Sequence, residues 1–396
     1  MLTFYSGATR MANSVNAAEE CISLAANGTQ VDPKLVFLHA SMGHNLLDLS
    51  RHLKMRFPQA RIVGTSCAGL VGRNLVSETM MDVGLMLVEG DDFAVGHVNG
   101  ISGANSFEYG QKLAGILKSQ RSGINMIYLL APGIDVSNDR LIAGIESVLG
   151  GDITIFGGTS SDNMRGKQTY QVVDDALFSR AVFAVGFADP SLSVRTMATH
   201  GFVAVEPALI VTKSQGNRII ELNGVPAWKA YTAQMLLPET AELSDTMPIG
   251  ALAEELSPEE AARYGNKHIL RVVTHTDDTG SLIYPVDIKV GTKLWLTVRD
   301  EDLIFADVER MVKDLLAASA YKKPIAVFSS DCVTRGRRLF NRIVKEELVF
   351  KMQYPLSTND ITPPWLGLYG FGEYARINGA NRYQAYTTAL AAICRD

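Results

Sequence analysis

"LVFLHASMGHNLLDLSRHLKMRFPQARIVGTS", residues 35–66, carries the alternation that decides the fold. Its two ends, "LVFLHA" (Leu35–Ala40) and "RIVGTS" (Arg61–Ser66), are short apolar runs that read as buried strands. Between them "NLLDLSRHLKMRF" (Asn45–Phe57) spaces its apolar residues as a helix does. Strand, helix and strand in succession imply an α/β layer with a largely parallel or mixed sheet.

Working outward, the same texture continues to about residue 190. "VGLMLVEG" and "FAVGHV" read as strands joined by a hairpin-like connection at Asp91-Asp92. A helix over "GANSFEYGQKLAGILKSQ", a strand over "NMIYLLA" and a helix over "SNDRLIAGIESVLG" follow, with Ser137 placed as an N-cap. "ITIFGGTSSD" adds a strand that ends in a Gly-Gly turn. From residue 190 to 205 the pattern changes: "LSVRTMATHGFVAV", "ALIVTK" and "RIIELNG" are consecutive strands with turn residues between them. "PAWKAYTAQML" is a helix with Pro226 in its first turn, "HILRVVTH", "GSLIYP" and "KLWLTVRD" are strands, and "DVERMVKDLLAASA" is a helix. The expected architecture is α/β followed by α+β. Two closely packed layered domains with mixed sheets, residues 30–200 and 201–396, share an interdomain cleft. No short-period repeat of solenoid or propeller type is visible.

Composition narrows the function classes. The 396 residues are 47% hydrophobic and 20% charged, enough apolar content for a large core. A net charge of -5 argues against a phosphate-backbone binder, so no nucleic-acid partner is expected. No apolar run is long enough for a membrane span and no leader is evident at the N-terminus. Cys21, Cys67, Cys332 and Cys394 are scattered, with no C-x-x-C pair. A cytoplasmic protein with reduced thiols is the simplest expectation.

Four stretches carry chemistry. "SSDCVTRGRRLF" (Ser329–Phe340) places Cys332 at a strand's carboxyl end, where ligands approach α/β sheets, with Arg335, Arg337 and Arg338 beyond it. A following helix over "RGRRLFNRIVKEEL" would favour an anion and lower the thiol pKa. The thiol could equally be a nucleophile, a metal or haem ligand, or an inert small apolar residue. "GLYGFGEYARI" (Gly367–Ile377) interleaves glycines with Tyr369, Phe371 and Glu373, allowing backbone to approach a ligand. Alternatively it is a bulged strand. "GTSCAGLVG" (Gly64–Gly72) and "GGTSSD" (Gly157–Asp162) offer hydroxyls, amides and the Asp162 carboxylate, but match no nucleotide fingerprint. Among the histidines, His39 and His44 flank one strand end, while His200 and His275 stand elsewhere, and no metal or haem-attachment motif occurs.

Taken in order, these stretches resemble the FIST family, with its N-terminal and C-terminal domains. "RIVGTSCAGLV", "IFGGTSSDN", "VTKSQGNRIIELNGVPAWKAY", "VFSSDCVTRGRRLF" and "LGLYGFGEYARI" are each similar to a family motif in register, over roughly residues 33 to 390. The third is the most specific and opens the C-terminal domain.

The resemblance implies a small-molecule sensor, amino acids or other small acids among its ligands. Its partners would be a histidine kinase, a cyclic-di-GMP enzyme or a chemoreceptor. One branch of the family is described as haem-binding nitric-oxide sensors. Site residues carried over are Thr65, Ser66, Cys67, Gly157, Gly158, Ser160, Asp162, Cys332, Arg335, Tyr369, Gly372 and Glu373. "NRYQAYTT" departs from the family's closing motif by putting Arg382 and Tyr383 where His and Asn are usual, which weakens a haem reading and suits an acidic ligand. The chain ends soon after, so output through another protein is expected. The alternatives are a hydrolase or lyase using Cys332 or a cleft carboxylate such as Glu373, and the haem sensor. The expected cofactor is none, with haem the exception, and no metal is expected.

Overall fold

The computed structural model describes residues 1–163, 165–246, 249–336 and 342–396, so Arg337 and Arg338 lie outside the described residues. The chain builds one supersecondary unit three times. The first comprises β1 (Thr3–Thr9), α1 (Ser14–Ala26), β2 (Leu35–Ser41), α2 (Leu46–Arg56), β3 (Arg61–Cys67), β4 (Leu70–Gly72), β5 (Leu75–Ser77) and β6 (Val83–Glu89). The second repeats that order. It runs through β7 (Phe93–Asn99), α3 (Ser106–Gln120), β8 (Met126–Ala131), α4 (Asn138–Leu149), β9 (Thr154–Thr159), β10 (Gln171–Val173), β11 (Ala176–Phe178) and β12 (Ala181–Phe187).

The third unit opens with β13 (Leu192–Thr199) and is then interrupted by an insertion. That insertion holds β14 (Phe202–Gln215), β15 (Arg218–Leu222), β16 (Val225–Pro226), α5 (Ala227–Gln234), α6 (Leu243–Thr246), β17 (Gly250–Glu255), α7 (Pro258–Tyr264), β18 (His268–Arg271), β19 (His275–Thr276), β20 (Leu282–Ile283) and β21 (Lys293–Arg299). The unit resumes with α8 (Glu301–Ala318), β22 (Ala326–Cys332), α9 (Arg342–Leu356), β23 (Trp365–Gly370), β24 (Glu373–Ile377), β25 (Ala380–Gln384) and β26 (Thr388–Arg395).

Each unit makes a six-stranded mixed sheet, and each lends a hairpin to a neighbour. The orders are β1-β6-β2-β3-β10-β11, β7-β12-β8-β9-β24-β25 and β13-β26-β22-β23-β4-β5. The last two strands of every sheet therefore come from another unit, and the exchange closes cyclically. The insertion forms a fourth sheet. The architecture is mixed α/β throughout.

The three parallel pairs superpose by register. Gly64 lies opposite Leu38, Gly157 opposite Leu129 and Gly367 opposite Ser329. The borrowed hairpins meet the same glycines, at Val172, Tyr374 and Val71 respectively. A Cβ at Gly64 would sit 2.8 Å from the Leu38 carbonyl oxygen, one at Gly157 2.2 Å from the Leu129 oxygen, and one at Gly367 2.0 Å from Ser329 Oγ. Only glycine lets three strands close up there.

One residue before each opposing position stands an aromatic ring: Phe37, Tyr128 and Phe328. Their centroids are 4.9, 5.1 and 5.2 Å apart, a closed trefoil on the pseudo-threefold axis. The inner faces of all three sheets pack around it in one core with Leu35, Phe156, Phe187 and Leu366. Outer faces are covered by helices: α1 and α2 on the first sheet, α3 and α4 on the second, α8 and α9 on the third.

Two connections differ from the sequence expectation. β6 and β7 do not form a hairpin; β6 pairs with β1 and β2, and β7 with β12. Asp91-Asp92 is the passage from the first unit to the second. "LSVRTMATHGFVAV" is likewise two strands, broken at Gly201, whose φ of +68 turns the chain into the insertion.

Candidate functional site

The three Gly-rich stretches singled out in the sequence are the three crossover points of the hairpin exchange. At each, the chain leaves the third strand of its own sheet and enters a neighbouring sheet. They meet around the axis: Ser161 N–H donates to the Ser66 oxygen, Ala68 N–H to the Tyr369 oxygen, and Thr159 N–H to the Gly372 oxygen. Thr65, Ser66, Cys67, Ser160, Asp162, Cys332, Arg335, Tyr369 and Glu373 are all buried, none more than 3% exposed. The turns converge, but they close on one another and do not line an open cleft.

Two networks result. In the first, Thr65 Oγ1 donates to Ser160 Oγ at 2.7 Å and Ser66 Oγ to the Ser161 oxygen at 2.8 Å. Asp162 accepts from the backbone N–H groups of Arg165, Gly166, Lys167 and Gln168, so its carboxylate is engaged in holding that loop. Cys67 belongs to the apolar core, and burial drives its thiol pKa up.

The second network is charged and has no counterpart in the other units. The register that equates Leu38, Leu129 and Ser329 also equates Ala40, Ala131 and Asp331. β22 is buried along its length yet ends in Ser329, Ser330, Asp331 and Cys332. Trp365 Nε1 donates to Ser329 Oγ at 3.0 Å, and Ser330 Oγ donates to the Gly157 oxygen at 2.8 Å. Asp331 Oδ1 accepts from Thr388 Oγ1. Glu373, across the crossover, accepts the Thr387 hydroxyl on Oε2 at 2.7 Å. Arg335, at the end of a 3-10 turn over Val333–Arg335, gives Nη1 to the His200 oxygen at 2.6 Å. Lys345 on α9 pairs with Glu78, and its Nζ stands 3.5 Å over the Tyr369 ring.

Electrostatics follow from burial. Desolvation raises the Asp331 carboxyl and pushes Glu373 well above the usual carboxylate range, with neighbouring Asp331 adding to the shift and Arg335 opposing it. Burial also pushes the Cys332 thiol up to about 12, assisted by Glu373. Thr334 Oγ1 donates to its sulfur at 3.1 Å. A protonated thiol in this setting is a poor nucleophile. Burial pulls the Arg335 guanidinium down, and Asp331 and Glu373 hold it up. Among the described residues, Glu78, Asp331 and Glu373 stand with Arg335 and Lys345, and burial favours the protonated form of Glu373.

Several buried polar atoms here make no hydrogen bond. They are Asp331 Oδ2, Glu373 Oε1, Arg335 Nε and Nη2, and Nε2 of Gln384, the residue facing Glu373 across β24 and β25. Buried polar groups are ordinarily paired, so this concentration of unpaired atoms is unusual. Nε and Nη2 form one edge of the guanidinium, a fork shaped for a carboxylate.

Arg382 does not join this set. It pairs with Glu260 of α7, nearer the surface. Sequence reasoning did not single out Asp331, Glu78, Lys345, Gln384, Thr387 or Thr388, and named His200 only among the histidines. The signal for Asp331 was available: three polar residues ending a central strand that opens with "AVF".

Two of the fully buried histidines are engaged within the fold. His200 Nδ1 accepts from Phe202 N–H and Nε2 donates to the His268 oxygen, each at 2.9 Å, and burial lowers its pKa to about 3. His39 Nε2 lies 2.9 Å from Tyr128 Oη deep in the core. The larger cavity described, about 550 Å³ beside Trp228, Lys229 and Asp277 on the insertion, is lined by no histidine or cysteine. Among the described residues no helix is long and apolar enough to cross a membrane.

One consequence for stability can be measured. Glu373→Gln should gain on the parent protein as pH rises. A raised folded-state pKa gives stability present below the ordinary glutamate value of 4.5 and lost as pH climbs towards the folded-state value. The amide keeps the Thr387 bond and has no proton to lose. Urea midpoints of both proteins between about pH 5 and pH 8 should diverge. A constant gap would show that Glu373 is not held protonated.

The family model of the FIST N domain matches residues 34–225 and that of the FIST C domain residues 229–376. No curated protein matches the chain. Among solved structures, a cyanuric acid hydrolase from A. caulinodans aligns at 7% identity and TM-score 0.38, covering 100% of this chain and 99% of the other. A second cyanuric acid hydrolase aligns at 9% identity and TM-score 0.33, covering 100% of both chains. PurLQS from Thermotoga maritima aligns at 10% identity and TM-score 0.22, covering 100% of this chain and 72% of the other.

Proposed function

Since the chain belongs to the FIST family, with an N and a C domain, we propose that it is a sensor for a small acidic ligand, bound at the buried Arg335 cluster. The observation that carries this reading is the unpaired Nε–Nη2 edge of Arg335, 2% exposed. A carboxylate or phosphate would fill that fork. Asp331 Oδ2 and Glu373 Oε1, both unpaired, would receive an ammonium or hydroxyl of the same ligand, which favours an amino acid over a plain carboxylic acid. The rings of Tyr369 and Tyr264 would cover its body.

Output would run through His200. The oxygen that accepts from Arg335 belongs to the junction between β13 and β14, where the chain passes from the repeated units into the insertion. A ligand that re-aims Arg335 changes this contact, and so has different affinities for two placements of the insertion. A separate signalling protein, such as a histidine kinase, a cyclic-di-GMP enzyme or a chemoreceptor, would read that difference.

The test is a thermal-shift screen of amino acids, small carboxylates and inorganic phosphate. A true ligand at a hundred times its Kd stabilises by about 2.7 kcal/mol, a clear rise in Tm. The rise should vanish in Arg335→Met. Silence across all three classes, by Tm and by titration calorimetry, would overturn the proposal.

A further inference from the structure

The larger of the two cavities described opens on the insertion and shares no lining residue with the Arg335 cluster. Its volume of about 550 Å³ falls among those of small-molecule sites, roughly 300–1,000 Å³. Three segments wall it: residues 226–229 at the start of α5, 239–243 leading into α6, and 276–280 between β19 and β20. The first of them belongs to "VTKSQGNRIIELNGVPAWKAY", the stretch with the most specific resemblance to the family.

Trp228 ties these segments together. Its N–H donates to the Gly280 oxygen at 2.8 Å and its Nε1 to the Glu239 oxygen at 3.0 Å, while the Tyr231 ring stands 6.1 Å from it. In the third segment Asp277 Oδ1 accepts from the N–H groups of Thr279 and Ser281, and its Oδ2 pairs with Arg218 at 2.6 Å. The indole is thus in place before any ligand arrives, which spares the cost of ordering it on binding.

The lining is anionic. Among the described residues it carries the carboxylates of Glu239, Glu242, Asp277 and Asp278 against one ammonium, that of Lys229. Lys229 stands 3.7 Å from Glu239, and Arg218 answers Asp277. No ion pair among the described residues engages Glu242 or Asp278, which belong to different walls. Nor do the described residues place three or more His, Cys, Asp or Glu side chains together to hold a metal ion. Separated carboxylates beside an indole suit a larger, softer cation, since the face of the ring attracts the same charge.

We infer that this cavity is a binding site for a small organic cation, a diamine whose ammonium groups meet Glu242 and Asp278 while its alkyl chain lies on Trp228. The inference is independent of the acidic ligand assigned to Arg335, because the two sites carry opposite charge and share no residue.

The probe is 1,5-diaminopentane, titrated into the full chain at low salt so that exposed pairs are not screened. Tryptophan emission reports on it: Trp295 and Trp365 are buried, 7% and 0% exposed, whereas Trp228 is half-buried. The emission should change with saturation in the millimolar range. Glu242→Gln combined with Asp278→Asn should weaken binding about tenfold. Trp228→Leu, followed by titration calorimetry, should weaken it about threefold. Glu108→Gln with Asp48→Asn, the same change of charge at exposed helix positions of the repeated units, should leave the affinity unchanged. The neutral isostere 1,5-pentanediol should not bind. Absence of saturable diamine binding, equal binding of the diol, or equal weakening by the two double variants would overturn the inference. Tighter binding of calcium ion at the same two carboxylates would make the cavity a metal site and overturn it as well. None of these outcomes alters the expectation for carboxylates and phosphate at Arg335.

Discussion

Phe328→Ala is expected to lower the unfolding free energy by about 3–5 kcal/mol, as large-to-small changes of a buried aromatic do. Phe328 touches Phe37 at 5.1 Å, Tyr128 at 5.2 Å and Phe156 at 5.7 Å between centroids. Those rings belong to the other two units, so its removal empties the point where all three sheets meet. Nothing can collapse into the gap, because each neighbouring ring is fixed to a strand paired on both edges. Phe37→Ala should cost a similar amount. The double variant should cost less than the sum, since the two rings share a contact. Guanidinium unfolding followed by circular dichroism measures all three. A loss under about 1 kcal/mol for Phe328→Ala would mean that the trefoil does not bind the units together.

Arg335→Ala is expected to cost about 3–5 kcal/mol, the penalty for leaving buried charge without its counter-charge. Asp331 and Glu373 would remain, both fully enclosed, with Lys345 already committed to Glu78. The informative companion is Arg335→Met combined with Asp331→Asn and Glu373→Gln. The amides keep the threonine bonds, no net charge is stranded, and most of the lost stability should return. Ligand stabilisation should not return. Such a split assigns the cluster to binding, since a group retained for stability alone would not be replaceable by neutral isosteres. If Arg335→Ala is nearly as stable as the parent, the guanidinium is not buried among those acids in solution.

The reading of single elements from local pattern succeeded where local forces suffice. "LVFLHA" and "RIVGTS" became β2 and β3 in parallel register, and the helix between them begins one residue after Asn45, whose side chain caps it. "SNDRLIAGIESVLG" became α4, although Ser137 makes no side-chain capping bond. "RGRRLFNRIVKEEL" yields a helix from Arg342 onward, with Arg337 and Arg338 outside the described residues. β1 and α1 escaped notice. The apolar run of the one is short, and the other is rich in small and polar residues.

The threefold repeat was written faintly. "VFLHA", "IYLLA" and "VFSSD" precede "IVGTS", "IFGGT" and "WLGLY" by 26, 28 and 38 residues, and their shared content is one aromatic and one glycine. Those two positions are what the packing demands: a ring to fill the axis and a missing Cβ where three strands converge.

What the amino-acid order determined alone is the succession of strands and helices, the apolar faces and the motifs that point to FIST, because helix and strand periodicities act over a few residues. Which strands pair was decided only in three dimensions. The hairpins β4–β5, β10–β11 and β24–β25 each leave their own sheet, since burying all three inner faces around one axis stabilises more than local pairing would. That exchange brings Glu78 from the first unit beside Lys345 of the third, and sets Glu373 against Gly158 of the second. The charged cluster exists only because the sheets trade their edges.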